Sequence, residues 1–519
     1  MKHFLFSLVL IVIITGCSSS ESPEEMEVII NLPSLTTNLA TEITENSVTV
    51  GGNITSDGGA SVTERGVVWS TRANPTTSNN KQTVGNGTGS FSTSIVDLDS
   101  NTNYFIRAYA INSEGTAYGS QQQFTTLEPE PVQKIFDGDV ILTSQQQVDD
   151  FGAEGYTEIT GNLEILDGVP ADLTNLLALN GLKTIGGDIR IGSNRILMNL
   201  NGLETLMEFA GELTIESNSI LNNIEGLQGI SGNLSIIRID NNPELKSLSS
   251  LNGVSSLKEL LILGNTGIEE IDFPNLEFVE GAVIFSNNDG LVRLGGFNSL
   301  ISIGFLNIEA NDQLTEITGF NSLIENDING IFIGLNESLN SISGFESFET
   351  LRGSLTITTN TALIEINFAN NLKSISNLLV IDGNSMLNSI SGFTNLESVE
   401  EILINSNFSL QTIEGFESLV NLDKLTFRFN SNLLTVIEFP NLERINEIEI
   451  SGNGDLSNLD FMSSVTEYTG EFLNITDNVS LVDFCGLNEI ISSGWDGEYN
   501  VSGNSFNPLL QDLRNGNCN

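Results

Sequence analysis

The sequence predicts an all-β protein in which a small antiparallel sandwich precedes a long parallel β-solenoid. Three observations lead there. A composition of 49 Gly, 28 Phe and 2 Trp in 519 residues suits strands and turns better than helices. From about residue 156 a short motif returns at a nearly constant step, the mark of a repeat array. Ahead of it, residues 28–127 place apolar residues at every second position in short runs broken by turn residues.

At the N-terminus, Lys2 and His3 precede the apolar run FLFSLVLIVII, which ends at Thr15-Gly16-Cys17. The run is too short for a stop-transfer helix but has the length of a signal-peptide apolar region. Small residues directly before a cysteine resemble the lipobox of bacterial lipoproteins. The resemblance implies removal of residues 1–16 and attachment of diacylglycerol to the Cys17 sulfur. It also implies acylation of the new N-terminus, and several acyl chains anchor far more firmly than one. Residues 17–27, with the run SSSESPEEMEV, are polar and acidic without hydrophobic period, so they read as a flexible tether. Acidic residues this close to the cysteine resemble export signals to the outer face, so the expected location is the bacterial outer membrane, facing the exterior.

The runs NSVTVGGNIT, VTERGVVWS and NYFIRAYAIN are half-buried strands by their alternation. Gly58-Gly59 and Ser113-Glu114-Gly115 fall where tight turns are needed. About 100 residues of such strands is the size of an immunoglobulin-like sandwich. The segment LDSNTNYFIRAYAINSEG resembles the F strand and following turn of fibronectin type III modules. That resemblance assigns Tyr104 to the tyrosine corner and Trp69 to the core, with a spacer as the expected role. The Pro/Glu-rich stretch LEPEPVQ marks a linker, residues 128–134.

The repeat then occupies residues 135–519 with its caps. Units such as FLNIEANDQLTEITGFNSL (305–323) and EILINSNFSLQTIEGFESL (401–419) share the frame L-x-I-x-x-N-x-x-L-x-x-I-x-G-F-x-x-L. The asparagine recurs at 194, 218, 242, 265, 288, 311, 336, 360, 384, 407, 430, 453 and 478, in steps of 23 to 25. In L-x-I the outer two side chains face one side of a strand and the middle one faces the other. One coil cannot bury its apolar side, whereas stacked coils bury it continuously. The asparagine ends the strand, where its amide can bond its own and adjacent coils as a ladder. Glycine in G-F supports a corner, and Phe297, Phe320, Phe345, Phe393 and Phe416 should stack along the axis. At about 4.8 Å per coil the array is on the order of 60 Å long.

The frame has the L-x-I-x-x-N core of a leucine-rich repeat. Its inter-strand segment resembles the receptor L domain, over roughly 156–490, as one array rather than two lobes. The resemblance implies a right-handed parallel β-helix and a habit of binding ligands on a sheet face. Both ends read as capped. Residues 135–155 offer an edge strand and a helix opened by Ser144-x-x-Gln147. Residues 484–519 break the period and carry Cys485 and Cys518, which in an exported protein are expected to pair.

Function is constrained mainly by exclusion. A net charge of −48 and a pI near 4.1 argue against nucleic acid or an anionic membrane surface as partner. His3 is the only histidine, so a chain from which residues 1–16 are removed has none, which would exclude Ser–His and Cys–His catalysis and histidine-ligated metals. No D-x-[DN]-x-[DN]-G calcium loop occurs. No metal or cofactor is expected. The expected role is non-enzymatic binding or adhesion toward an extracellular protein or glycan, with the membrane reached only through the anchor and the chain a monomer. The alternatives are an envelope spacer, or a β-helix enzyme acting on polysaccharide through clustered carboxylates. Read coil by coil, the middle residue of each L-x-I triplet is polar or charged toward both ends (Arg190, Thr214, Arg238; Thr426, Glu449, Asn474). Between them it is apolar at Leu261, Ile284, Phe332, Val380 and Leu403, which makes this row the candidate ligand-binding face.

Replacing Cys17 by Ser is expected to release the protein from membranes, measured by fractionation. Absence of radiolabelled palmitate from the wild-type chain would refute the anchor.

Overall fold

The computed structural model describes residues 29–129, 133–324, 328–437 and 439–519; Cys17, the signal peptide and the tether lie outside the described residues. The chain forms two compact units, Met1–Val132 and Gln133–Asn519, each with its own apolar core.

The first unit is a two-sheet antiparallel sandwich. One sheet joins Ser34–Thr37, Val48–Ser56 and Gly89–Ile95. In the other, Glu64–Ser70 lies between Asn80–Gly85 and Asn103–Ile111, and the last strand also pairs with Thr116–Tyr118 and Gln122–Thr125. Tyr104 is buried and its hydroxyl accepts the Asp99 backbone N–H at 3.0 Å, the corner bond that ties a strand to the loop before it. Trp69 departs from its expected role. It is only half-buried at the margin of the core, and the fully buried aromatic side chain is Tyr109.

The second unit is a β-solenoid. Its long side is a parallel sheet of 20 strands that begins at Val140–Leu142 and ends at Glu498–Ser502. The opposite side carries two-residue strands in two short parallel sheets, such as Glu270–Ile271, Arg293–Leu294, Glu316–Ile317 and Ser341–Ile342, and a third short sheet, from Ile135–Phe136 to Glu208–Phe209, runs just ahead of the first long strands. The strands of the first two hold the second isoleucine of the frame, or Leu294 and Val436 in its place, so these coils bury L-x-I from one side and x-I from the other. Other coils place a 3₁₀ turn just after this position, as at Glu225–Leu227 and Ser249–Leu251.

Between the two sides run the phenylalanines. Phe297 stacks on Phe320 with ring centroids 5.1 Å apart and planes at 3°, and Phe320 on Phe345 at 5.2 Å and 12°. Phe393 stacks on Phe416 at 5.5 Å. The G-F corner explains the alignment: Gly319 and Gly344 have φ of +89° and +87°, a conformation that glycine adopts without a Cβ clash.

All thirteen asparagines of the frame are fully buried and form one hydrogen-bonded file. Asn311 is representative. Its backbone N–H donates to Asn336 Oδ1 at 3.1 Å, and its Nδ2 donates to the same oxygen at 3.2 Å and to the Phe285 carbonyl of the preceding coil at 3.0 Å. Its own Oδ1 accepts two bonds from Asn288, at 3.0 and 3.2 Å. The file continues one residue beyond the frame, to Asn504, whose Oδ1 takes both bonds from Asn478.

The residue before each of these asparagines is left-handed, a feature not apparent from the frame. Ser193, Asn241, Ala310, Leu335, Thr359, Ser406 and Phe429 have φ between +52° and +58°, and Gly383 occupies the same place at +67°. The cause is geometric. The N–H of this residue still bonds the next coil, as Leu335 N–H does to the Thr358 carbonyl at 3.1 Å, and the chain must then swing the following amide into the core. A positive φ achieves both. In leucine, threonine and phenylalanine it costs about 1–2 kcal/mol per residue, which the ladder outweighs.

Both ends depart from the repeat. Helix Gln145–Ala153 closes the first coil, with Ser144 Oγ accepting from Gln147 N–H at 3.3 Å. The Gln147 side chain returns to Thr143 N–H, one residue earlier than a capping box requires. Gly152 lies so close to the next coil that a Cβ there would sit 2.2 Å from the Ala178 carbonyl. At the far end Cys485 and Cys518 are bonded, with Cα atoms 4.9 Å apart, and Trp495 Nε1 donates to the Gly470 carbonyl at 2.7 Å. This cap does more than break the period, since it contributes a last strand and a last ladder asparagine.

Asn311→Leu or Asn384→Leu is expected to destabilise the chain by about 1–3 kcal/mol, because buried ladder and backbone groups lose their partners. Leu335→Gly, which touches no ladder atom, should be neutral or stabilise by up to about 1 kcal/mol, as the left-handed cost is lifted against glycine's entropy. Denaturant unfolding distinguishes the two. Equal losses at all three positions would mean the ladder carries no special weight.

Candidate interaction face

The outward surface of the long sheet is built from rows of side chains in strict register. Arg238, Leu261, Ile284, Asn307, Phe332, Thr356, Val380, Leu403, Thr426 and Glu449 follow one another as Cα partners on successive coils. Strands about 4.8 Å apart bring each side chain against the next one along the row.

The row is less exposed than its alternation suggests. Ile284, Phe332, Val380 and Leu403 are half-buried, and Leu261 is buried at 5% exposure. Leu261 therefore leaves the candidate face: its register partners Arg238 and Ile284 are long enough to cover it from both sides. Thr426, on the polar flank, is buried as well, at 2%.

Two features of the centre lie outside the row of middle residues. Phe305, one position before a core leucine, faces outward by the same alternation and is half-buried. The strand Gly330–Gly334 carries glycine at both outward positions beside Phe332. A Cβ on Gly330 would lie 3.1 Å from the Phe305 ring, and one on Gly334 would lie 2.6 Å from that of Phe332. Both rings thus lie down on bare backbone, and the centre of the face is flat, with the Glu309 carboxylate beside Gly334 accepting from Asn307 Nδ2 at 3.2 Å. The clue in the sequence was G-I-F-I-G, a strand whose outward positions are two glycines around one phenylalanine.

Charge gathers toward both ends. At one end Arg190 Nε donates to Glu216 at 2.8 Å and Nη1 lies 3.4 Å from Glu164, while Arg238 Nε lies 3.4 Å from Glu212. At the other, Lys424 Nζ lies 2.7 Å from Glu447, and Arg428 Nε 3.4 Å from Glu449. Partial burial raises the Glu401 carboxyl above its usual range; Lys424 lowers it, and Glu447, Glu400 and Glu449 raise it further. The Lys424 ammonium is held up by its bond to Glu447. Glu400, Glu401, Lys424 and Glu447 border an open groove of about 570 Å³ that also takes in Asp423, Asn446 and Glu471. Asp423 accepts from Asn446 Nδ2 at 2.7 Å, and Lys424 is the groove's cation, already committed to a carboxylate.

Elsewhere, the disulfide lies beside Asp483, whose carboxylate accepts the Cys485 N–H at 2.8 Å. Oxidised sulfurs are not thiolate ligands, so this group does not make a metal site.

No protein-family model and no curated protein matches the chain. Among solved structures, the sandwich is similar to the sensor domain of an anti-sigma factor from Pseudobacteroides cellulosolvens, at 22% identity and a TM-score of 0.15, covering 19% of this chain and 96% of that one. It is similar also to a human fibronectin type III domain, at 16% identity and a TM-score of 0.15, covering 22% and 90%. A pectate lyase from Pectobacterium carotovorum aligns at 8% identity and a TM-score of 0.14, covering 80% of this chain and 89% of its own. No activity is carried over from such likenesses. The class that the fold itself defines is a β-solenoid protein with an N-terminal fibronectin type III-like sandwich.

Proposed function

We propose that this chain is a lipid-anchored protein of the bacterial outer surface that binds an extracellular protein or glycan, without catalysis, on the outward face of its long sheet. One observation carries the reading: the face is divided into ion-pair networks toward its ends and a centre where, beside the single carboxylate of Glu309, Phe305 and Phe332 lie flat over Gly330 and Gly334. A spacer has no use for such a division, because a solvated sheet is served by charge along its whole length. Flat apolar ground framed by charge is the anatomy of a recognition surface, with an apolar middle and a polar rim.

The Cys17 motif and acidic tether support display outside the cell, and the sandwich supplies distance from the membrane. The resemblance of the repeat to the receptor L domain supports a sheet face as the place of binding. An enzyme acting on polysaccharide would have to use the acidic groove around Glu401 and Glu447, where the cation Lys424 is engaged by Glu447.

Phe332→Asp is expected to abolish capture of cell-surface material and of array glycans by the chain from Ser18 onward, with the thermal midpoint nearly unchanged. The ring is half-buried on an outer surface rather than in the core, so its loss removes contact area without opening a cavity. Unaltered binding, or a variant that unfolds, would remove this face as the site.

A further inference from the structure

We propose that the partner of this face is a second copy of the same chain, docked antiparallel. The inference rests on the reading of the outward sheet surface as the binding face.

The argument is one of register. Taking the L-x-I strands in order, Leu163–Ile165 is the first and Leu473–Ile475 the fourteenth, with Leu306–Ile308 and Ile331–Ile333 in the middle. A two-fold axis parallel to the strands, passing between the two central ones, reverses the stacking direction and preserves the strand direction. The third strand then faces the twelfth. Glu212 comes opposite Lys424 and Glu216 opposite Arg428, each at the same outward position along its strand. The second strand faces the thirteenth, which sets Arg190 opposite Glu449. Nearer the axis Ile284 faces Thr356, and Phe305 of each copy faces the side-chain-free Gly330 of the other. One facing pair carries like charges, Asp188 against Glu447, and Glu447 already has the Lys424 ammonium at 2.7 Å. Arg238 against Leu403, Glu401 against Ile236, Asp382 against Leu263 and Glu309 against Gly334 face no opposite charge and oppose the pairing.

Such a pairing would turn the two-partner ion pairs of each end into four-charge clusters of alternating sign. A charge of −48 on each copy opposes association. At physiological salt, however, charges beyond about 8 Å are largely screened, so the facing pairs decide. The surface is large enough. About 50 Å along the axis and about 17 Å along the strands gives roughly 900 Å² per copy, the size of a specific interface. Reversal of the stacking direction also places the two first coils at opposite ends of the pair. That arrangement suits copies reaching toward each other from opposed surfaces. A weak contact of this kind is compatible with a monomer in dilute solution.

The test is a charge exchange, read by sedimentation equilibrium of the chain from Ser18 onward at up to about 200 μM. Lys424→Glu with Arg428→Glu, and separately Glu212→Lys with Glu216→Lys, should each weaken self-association about tenfold or more. Mixing the two variants should restore it to within about threefold of wild type, because both contacts of the heterodimer are then complementary. Melting curves verify folding. If either variant melts early, Arg190→Glu paired with Glu449→Arg provides an independent exchange. A wild-type chain that stays monomeric throughout, variants that associate like wild type, or a mixture as weak as its components would overturn the proposal. A monomer that still captures other surface material through Phe332 would overturn it while leaving the binding face in place.

Discussion

The structure depends on the file of buried asparagine amides. An amide in an apolar interior is costly unless each of its donors and acceptors finds a partner. Here each one does so only if the neighbouring coil sits in register, because one coil's oxygen receives both bonds from the coil before it. The ladder therefore converts the general tendency of apolar strands to stack into one specific alignment. A slip of one residue would unpair the amides and also turn every core side chain outward. The backbone strain at Leu335, Thr359 and Phe429 persists because the alignment over-determines it. The file has polarity as well. Asn194 Oδ1, at its start, is buried without a donor, whereas the far end closes on Asn507, which the cap supplies.

That alignment makes the outer face possible. With the register fixed, residues 23 to 25 apart in sequence become neighbours about 4.8 Å apart, and single substitutions accumulate into rows. Arg190 meets Glu216, and Lys424 meets Glu447, through coil spacing alone. Each such surface pair contributes little to stability, about 0–1 kcal/mol. The significance of the rows lies in the pattern they draw. The glycines flanking Phe332 make sense in those terms, since a side chain at either place would hold a ring off the sheet.

The sandwich follows another logic. Its strands are antiparallel and its core is separate, and the Tyr104 hydroxyl holding the Asp99 N–H is a local bond that needs no repeat. The two units share a chain but not a stabilising principle. One is a closed core, the other an open stack made finite by its caps. The N-terminal cap is a helix begun by Ser144, and the C-terminal cap is a disulfide-closed segment that still obeys the ladder.

Periodicity alone determined the architecture, the thirteen ladder positions, the inward leucines and isoleucines and the phenylalanine stack. Each of these follows from a step of 23 to 25 residues and the alternation of a strand. The fourteenth rung was legible in outline, since N-V-S-G-N at 500–504 repeats the strand ending, but its step of 26 from Asn478 falls outside the period. Other features were decided only in three dimensions. The left-handed residue varies from Ser to Phe and has no compositional mark, because its conformation is imposed by the next coil. The burial of Leu261 and Thr426, and the marginal place of Trp69, depend on how far neighbouring side chains reach. Alternation fixes the direction of a side chain; whether it meets solvent is settled by what lies one coil above and below.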